Sequence, residues 1–163
     1  MFREIRRKNQ TLPGEICINI LKSATNGILS VIGDDGYPYG VPVSFTYENG
    51  RIYFHSAKTG HKLDAIGNCD KVCFTVVDKD EIVPEKFTTF FRSVIVFGKA
   101  RVLTEKDEIL AAIRAISGKY SPDESEESRE KEIDGSMNAM AIVEITPEYI
   151  SGKEAIELAK MRV

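Results

Sequence analysis

The chain alternates short apolar segments with turn-forming residues, a pattern typical of a mainly β fold. The dipeptides Asp35-Gly36 and Asn49-Gly50 separate such segments and predict tight hairpin turns. Gly98, inside a long apolar segment, predicts a β-bulge or a bend. The predicted strands, rich in β-branched and aromatic residues, cover residues 27–32, 39–47, 51–56, 71–77, 88–103 and 139–145. We therefore predict a mainly β fold, an antiparallel β-barrel of about six strands with helical decoration.

Apolar residues at helical spacing predict helices between these strands. Thr59 is expected to cap the second helix and Gly67 to end it, while residues 104–107 resemble a capping box that opens the third. Gly118 is expected to stop that helix and Pro147 to break the last strand. The predicted helices cover residues 15–24, 59–67, 104–118 and 154–160, with a charged loop at 78–86.

The length of the chain suits a single hydrophobic core, so residues 1–163 are predicted to form one domain. The segment at about 121–134 is acidic and polar. We expect it to be an excursion from the domain, either a solvated helix or a mobile segment.

Composition narrows the class of protein. The hydrophobic fraction of 42% and the charged fraction of 29% are those of an ordinary soluble domain, and a net charge of −3 disfavours nucleic acids and anionic membranes as partners. Without a membrane-spanning run or the apolar core of a secretion signal, the protein is expected in the cytoplasm. Cys17, Cys69 and Cys73 are predicted to be reduced thiols, and no metal site is predicted.

Residues 39–47 show the sharpest alternation in the chain. The odd positions are large and apolar, whereas the even positions, which include Gly40, Pro42 and Ser44, are small. Since alternate side chains of a strand point to opposite faces, one face would pack a core and the other would leave room for a flat ligand. A plain solvent-facing surface explains the small residues as well, although Gly40 and Pro42 are poor strand formers.

The junction between the strand at 51–56 and the helix after it has the residues that a phosphate group needs. Backbone N–H groups of a helix N-terminus attract anions, Gly60 permits close approach, Lys62 supplies a positive charge and Ser56 can donate a hydrogen bond. A solvated surface lysine is the alternative explanation. His55 and His61 lie at the same junction, where a strand histidine is more often a packed or rim residue than a catalyst.

Six segments of the chain follow one another in the order and spacing of a known family. They are RRK at 6–8, GYPYGVPV at 36–43, IYFHSA at 52–57, GHKLD at 60–64, RSVIVFGKA at 92–100 and ISGKE at 150–154. With these segments the chain resembles the pyridoxamine-phosphate-oxidase-like FMN-binding split barrels over nearly its whole length. Among them it is most similar to the 5-nitroimidazole-resistance proteins.

The resemblance implies a six-stranded split barrel that binds FMN at the interface of a two-fold homodimer. It also implies that Lys62 and His61 contact the FMN phosphate, with help from Ser56 and Gly60. The family often has arginine at the position of His61, so that contact is expected to be weaker or pH-dependent. Pro42, Val43 and Ser44 would lie along the isoalloxazine ring, largely through backbone groups. His55 would lie near the flavin as the catalytic residue.

The activity implied is an FMN-dependent oxidoreductase that passes electrons from a reduced nicotinamide to a small organic acceptor such as a nitro compound. A non-enzymatic binder or sensor of FMN, haem or a deazaflavin on the same scaffold is the alternative. Pyridoxamine-phosphate oxidation itself is disfavoured, because residues 151–157 lack the arginine-rich substrate site of that activity. A nucleic-acid-binding barrel is disfavoured by the acidic balance.

Overall fold

The computed structural model describes residues 1–137 and 139–162. Within these residues, seven strands and five α-helices are joined by short turns. In chain order they are α1 (Gly14–Ser23), β1 (Asn26–Ile32), β2 (Pro38–Ser44), β3 (Thr46–Glu48), β4 (Arg51–Ala57), α2 (His61–Asn68), β5 (Lys71–Val83), β6 (Thr88–Val102), α3 (Lys106–Tyr120), α4 (Glu126–Ser136), β7 (Met140–Glu154) and α5 (Ile156–Met161).

The strands form one antiparallel sheet in the order β2-β1-β5-β6-β7-β4-β3. The mainly β class is confirmed, but the count of six strands is wrong, because the segment at 39–47 divides at Phe45 into two strands. Those two strands are the opposite edges of the sheet, and one residue separates them in the chain. The sheet must therefore curl strongly, although no ladder joins its two edges within the described residues.

Strand alternation separates a buried inner face from an outer face. On β2 the odd residues Tyr39, Val41 and Val43 pack against the core, as predicted, while the even residues are exposed. Phe45 and Phe54 are fully buried among the inner side chains. The helices α1 and α2 add their apolar sides to this core, with Cys17, Ile20, Leu21, Ala65 and Ile66.

A second apolar cluster lies on the outer face, where α3 and α4 cover β4 and β7. It contains Leu103, Ile113 and Ile142, and α4 contributes the buried Ile133. The acidic segment thus supplies a helix that packs on the sheet through one side. Arg114 on α3 also holds this helix, because its guanidinium forms two hydrogen bonds with Glu130.

The turn and bulge predictions are confirmed. Asp35 and Gly36 have positive φ, as do Asn49 and Gly50, which is the backbone that such hairpin turns require. The ladder between β6 and β7 shifts register between Phe97 and Gly98. A Cβ atom on Gly98 would collide with the Thr146 carbonyl oxygen of β7, so the close approach of the two strands requires glycine.

Several predicted boundaries are wrong because strand pairing overrides local breakers. Strand β7 continues through Pro147, which faces the bulge at Gly98, and β5 extends through most of the predicted loop to Val83. Helix α3 runs past Gly118 to Tyr120, and it begins without a side-chain cap, so the capping box is wrong as well.

A buried carboxylate ties β6, β7 and the segment after α5 together. Glu154 is fully buried, and Arg92 donates from Nε to its Oε2 at 3.0 Å while also lying 3.5 Å from Asp78. The Nε atom of Arg162 is 3.0 Å from Oε1, but its N–H does not point at that oxygen, so this contact is an ion pair without a hydrogen bond. Arg162 also donates to the Thr11 carbonyl at 3.3 Å. Because a buried carboxylate is stable only with compensating charge, the cluster fixes these segments relative to one another.

The substitution Glu154→Gln is expected to lower the free energy of unfolding by about 3 kcal/mol, because it leaves two guanidinium groups without their buried counter-charge. Urea denaturation followed by circular dichroism measures the change. Glu148→Gln is the control, since Glu148 lies on the same strand and is exposed; its effect should stay within about 0.5 kcal/mol. Equal effects of the two substitutions would contradict the role given to Glu154.

Candidate functional site

The N-terminus of α2 is open toward solvent and has no side-chain cap. Gly60 occupies the N-cap position with φ of 130°, and a Cβ atom there would meet no atom within 4 Å. The expected cap, Thr59, is therefore wrong. Because the first N–H groups of a helix have no partner within it, those of α2 remain available to an anion. Lys62 lies half-buried in the first turn and adds a positive charge.

Ser56, which precedes the N-cap residue Gly60 by four positions in the chain, supplies a buried polar group. It is 6% exposed near the end of β4, and its hydroxyl has no hydrogen-bond partner among the described residues. Buried polar atoms of native proteins almost always have a partner, so this hydroxyl is suited to a group that the protein alone does not supply. Together with Lys62 and the free N–H groups, it matches the chemistry of a phosphate monoester.

His61 has a different set of contacts from those expected. Its ring stacks on Tyr39 with centroids 4.2 Å apart, and Nε2 accepts the Asp34 N–H at 3.4 Å. Gly33 makes room for it, because a Cβ atom there would lie 2.9 Å from Nε2. His61 thus connects α2 to the β1–β2 hairpin. Its contact with a phosphate stays a prediction.

Strand β2 presents a bare outer face and a free edge. Pro42 and Ser44 are exposed, whereas the Val43 side chain points inward to the core. Beyond β1, no strand pairs with β2 within the described residues. Alternate backbone N–H and C=O groups along this edge are consequently available to a ligand.

His55 lies exposed on the outer face of β4, beside a cavity of about 600 Å³. Helices α3 and α4 form the other walls, with an apolar side that includes Ile113 and Ile116 and a polar side that includes Ser117 and Arg129. No hydrogen bond to the His55 ring occurs among the described residues. Polar and charged side chains make up most of the lining, and together with the apolar side they could hold a small molecule that has both kinds of surface.

The sequence did not identify the two helices as walls of this cavity. The amphipathic spacing of Ile109, Ile113 and Ile116 predicts a packed face on α3. It does not indicate which part of the sheet that face covers.

Strand β7 also contains a buried carboxylate that is paired with two arginines. Glu144 on β7 is buried and accepts hydrogen bonds from Arg51 at 2.7 Å and from Arg101 at 2.8 Å. Burial, followed by the negative charge of Glu144, raises the pKa of the neighbouring Tyr53. Arg101 also binds Glu108 on α3 and lowers the pKa of that carboxyl. This network fixes the beginning of α3 on the sheet.

The structure brings the predicted residues into one region but not into one pocket. Strands β2 and β4 approach each other across the open side of the sheet. Along β4, however, His55 points outward and Ser56 inward. A cofactor that met both would have to extend around the end of β4, from the N-terminus of α2 to the outer face.

Other classes of site find no support in the structure. No three His, Cys, Asp or Glu side chains form a group that could hold a metal ion in the part of the chain that is described. The cysteines are free thiols. None of the described helices has the length and apolarity needed to cross a membrane.

Solved structures with the same fold include proteins with flavin-related names. A proposed 5-nitroimidazole antibiotic resistance protein from Bacteroides thetaiotaomicron is 22% identical, with 88% of this chain and 86% of that chain covered and a TM-score of 0.74. The flavocytochrome Anf3 from Azotobacter vinelandii is 19% identical, with 94% and 72% covered and a TM-score of 0.74. A FAD-binding protein from Mycobacterium smegmatis is 22% identical, with 89% and 96% covered and a TM-score of 0.63.

At these identities, the likeness to solved structures establishes the fold alone. No functionally curated protein matches the chain. The sequence model of the family described as pyridoxamine 5'-phosphate oxidase, in contrast, matches residues 14–154, which is most of the chain. The resemblance in the sequence is thereby confirmed, and the chain belongs to the pyridoxamine 5'-phosphate oxidase family.

Proposed function

We propose that the protein is an FMN-dependent oxidoreductase that acts as a cytoplasmic homodimer and passes electrons from a reduced nicotinamide to a small organic acceptor. Structural neighbours described as FAD-binding proteins and as a flavocytochrome support a flavin as the cofactor. The observation that carries the proposal is the unpartnered Ser56 hydroxyl near the uncapped N-terminus of α2 and Lys62.

The phosphate of FMN fits this end of the site. The free N–H groups of α2 and the Lys62 ammonium would bind a doubly charged phosphate, and the Ser56 hydroxyl would donate to one of its oxygens. One helix N-terminus with one lysine suits a single phosphate, which favours FMN over FAD. His61 would hold α2 against the β1–β2 hairpin while the phosphate binds.

The candidate residues on β2 and β4 would orient the flavin ring and the electron acceptor. The flavin, when bound, supplies the electron transfer, so the protein needs to provide orientation and proton positions. Along the free edge of β2 the carbonyl of Pro42 and the N–H and carbonyl of Ser44 could bind a flat ring, while Pro42 itself has no N–H to donate. His55, at the wall of the cavity, is placed to exchange a proton with an acceptor bound there.

The proposed dimer uses the outer face of β1, β5 and β6, on which Phe2 of the N-terminal segment stacks against Phe97 with ring centroids 5.4 Å apart. Ile28 on β1 pairs with Pro42 of β2 on one side and with Thr75 of β5 on the other, and Thr75 pairs with Ile95 of β6. Ile28 is 41% exposed, Ile95 36% and Phe97 37%. A contiguous apolar face of this kind is typical of a protein interface, and a second copy of the chain is its proposed occupant. Because Pro42 continues the same row, a cofactor on β2 would border the second copy.

The purified protein is expected to retain FMN on gel filtration with twin flavin absorbance bands, and Lys62→Ala is expected to weaken FMN binding by about ten- to a hundredfold. The reason is the loss of a charge-assisted hydrogen bond worth about 1.5–3 kcal/mol. Flavin fluorescence titration measures the dissociation constant. Lys58→Ala is the matched control, since Lys58 is an exposed lysine of the same loop, before Gly60.

Unchanged affinity in Lys62→Ala would reject the phosphate assignment. The same titration with FAD, haem and a deazaflavin tests the cofactor itself. Tight binding of one of these without oxidation of NADH or NADPH would favour the alternative, a cofactor binder or sensor. Failure to bind any flavin would reject the proposed function.

Ile95→Lys is expected to convert the dimer into monomers, because it places a charge at the centre of the proposed interface. Light scattering after gel filtration measures the mass. Val102→Lys is the control, since Val102 lies on the same strand with a similar exposure of 37% but outside the proposed face. A dimer that persists in Ile95→Lys would show that the copies associate elsewhere.

His55→Gln is expected to lower kcat with a quinone or a nitroimidazole by about a hundredfold, the lower range for loss of a positioned proton donor. FMN affinity should stay within about twofold, because the phosphate end of the site is untouched. Stopped-flow and steady-state assays with NADH and NADPH measure the rates. A variant as active as the parent would remove His55 from the catalytic role.

A further inference from the structure

The end of α3 contacts the one residue at which the chain passes from one edge of the sheet to the other. Phe45 is fully buried between β2 and β3. Its N–H donates to the Tyr120 hydroxyl at 2.9 Å, and its carbonyl accepts from Lys119 Nζ at 3.0 Å. Because buried backbone groups need partners, Lys119 and Tyr120 take the place of the neighbouring strand that Phe45 lacks.

The same two side chains reach the connection between α1 and β1. Lys119 Nζ donates to the Ala24 carbonyl, and the Tyr120 hydroxyl donates to the Thr25 carbonyl. The carbonyl of Phe45 also lies 2.8 Å from the Tyr120 hydroxyl. One hydroxyl proton can serve only one carbonyl at a time, whereas the Phe45 N–H bond uses a lone pair and persists.

Lys119 differs from most lysines on a helix because its ammonium group is partly buried. Its Nζ lies 4.5 Å from the centroid of the Phe45 ring, a cation–π distance. Burial alone lowers the pKa of Lys119, and among the described residues no carboxylate pairs with it. A lysine on a helix normally extends its ammonium into water. The ammonium of Lys119 instead donates to two backbone carbonyls, which indicates a specific role for this side chain.

The position of these contacts connects them to the cofactor strand. Ser44, the last residue of β2, directly precedes Phe45, whose backbone N–H donates to the Tyr120 hydroxyl. Ser44 is also one of the residues proposed to lie along the flavin ring. The same helix, α3, lines the cavity beside His55 through Ile113 and Ile116.

We propose that Lys119 and Tyr120 are positioning residues for the flavin, which hold the end of β2 in the conformation that binds the ring. The proposal rests on the proposed function. It adds two residues far along the chain from the strand they hold, and it makes the end of α3 part of the cofactor site.

The test uses Tyr120→Phe, which keeps the ring and removes the hydroxyl. FMN affinity is expected to fall about tenfold, the loss of one net hydrogen bond to a strand that must be fixed for binding. Lys119→Met should have a similar effect, and Lys119→Arg should restore most of the affinity because it can donate to the same carbonyls. Tyr47→Phe is the matched control: Tyr47 is a buried tyrosine on β3, two residues from Phe45, and the variant should bind FMN like the parent.

Amide hydrogen exchange of the FMN-free variant separates this proposal from the proposed function. The Phe45 amide is expected to exchange faster in Tyr120→Phe than in the parent, whether or not the parent binds FMN. Unchanged exchange would overturn the proposal. Faster exchange with unchanged FMN affinity would overturn it as well, since the contacts would then serve the fold alone. A parent protein that does not bind FMN would instead reject the proposed function.

Discussion

The connection through Phe45 makes β2 and β3 consecutive in the chain and opposite in the sheet. A flat sheet of seven strands cannot have its two edges one residue apart, so the strands must curl around a common interior. The curl divides every strand into a side that faces the core and a side that faces outward. It also brings β2 close to β4, the neighbour of the other edge strand, and these two strands contain candidate cofactor residues.

The outer face of the sheet has one part that helices cover and another part that they leave uncovered. Helices α3 and α4 cover β4 and β7 through a small apolar cluster, and the Glu144 network fixes the beginning of α3. The face of β1, β5 and β6 has no such cover among the described residues. Strand β2 borders the uncovered face through β1, while the end of α3 binds Phe45, the residue after β2. The proposed flavin strand thus lies between a helical cavity wall and the proposed dimer surface, which is where a cofactor shared by two copies would have to be.

The sequence correctly predicted those features of the fold that depend on a few consecutive residues. The alternation from Tyr39 to Val43 and the positive-φ turns at Asn49 and Gly50 need only a few residues to be specified. The division at Phe45 was missed because the alternation continues through it. Pro147 was expected to end a strand, but its place opposite the bulge at Gly98 lets the ladder continue. The bulge that accommodates Pro147 lies on another strand, so the residues around Pro147 do not indicate it.

Prediction of the candidate site from the sequence is limited in the same way, because part of the site depends on contacts between distant residues and on backbone groups. Lys62 and Gly60 could be proposed as phosphate-binding residues because a helix N-terminus attracts anions through a few consecutive residues. The contacts of His61 with Tyr39, and those of Tyr120 with Phe45, 75 positions away, depend on the fold. Along β2 the groups available to a ligand belong to the backbone, and backbone groups do not depend strongly on residue type. A ligand there therefore requires little of the sequence except small outward side chains. A site of this kind leaves a weak local signal. Its residues therefore stay predictions that follow from the resemblance, whereas the family match over residues 14–154 confirms the family.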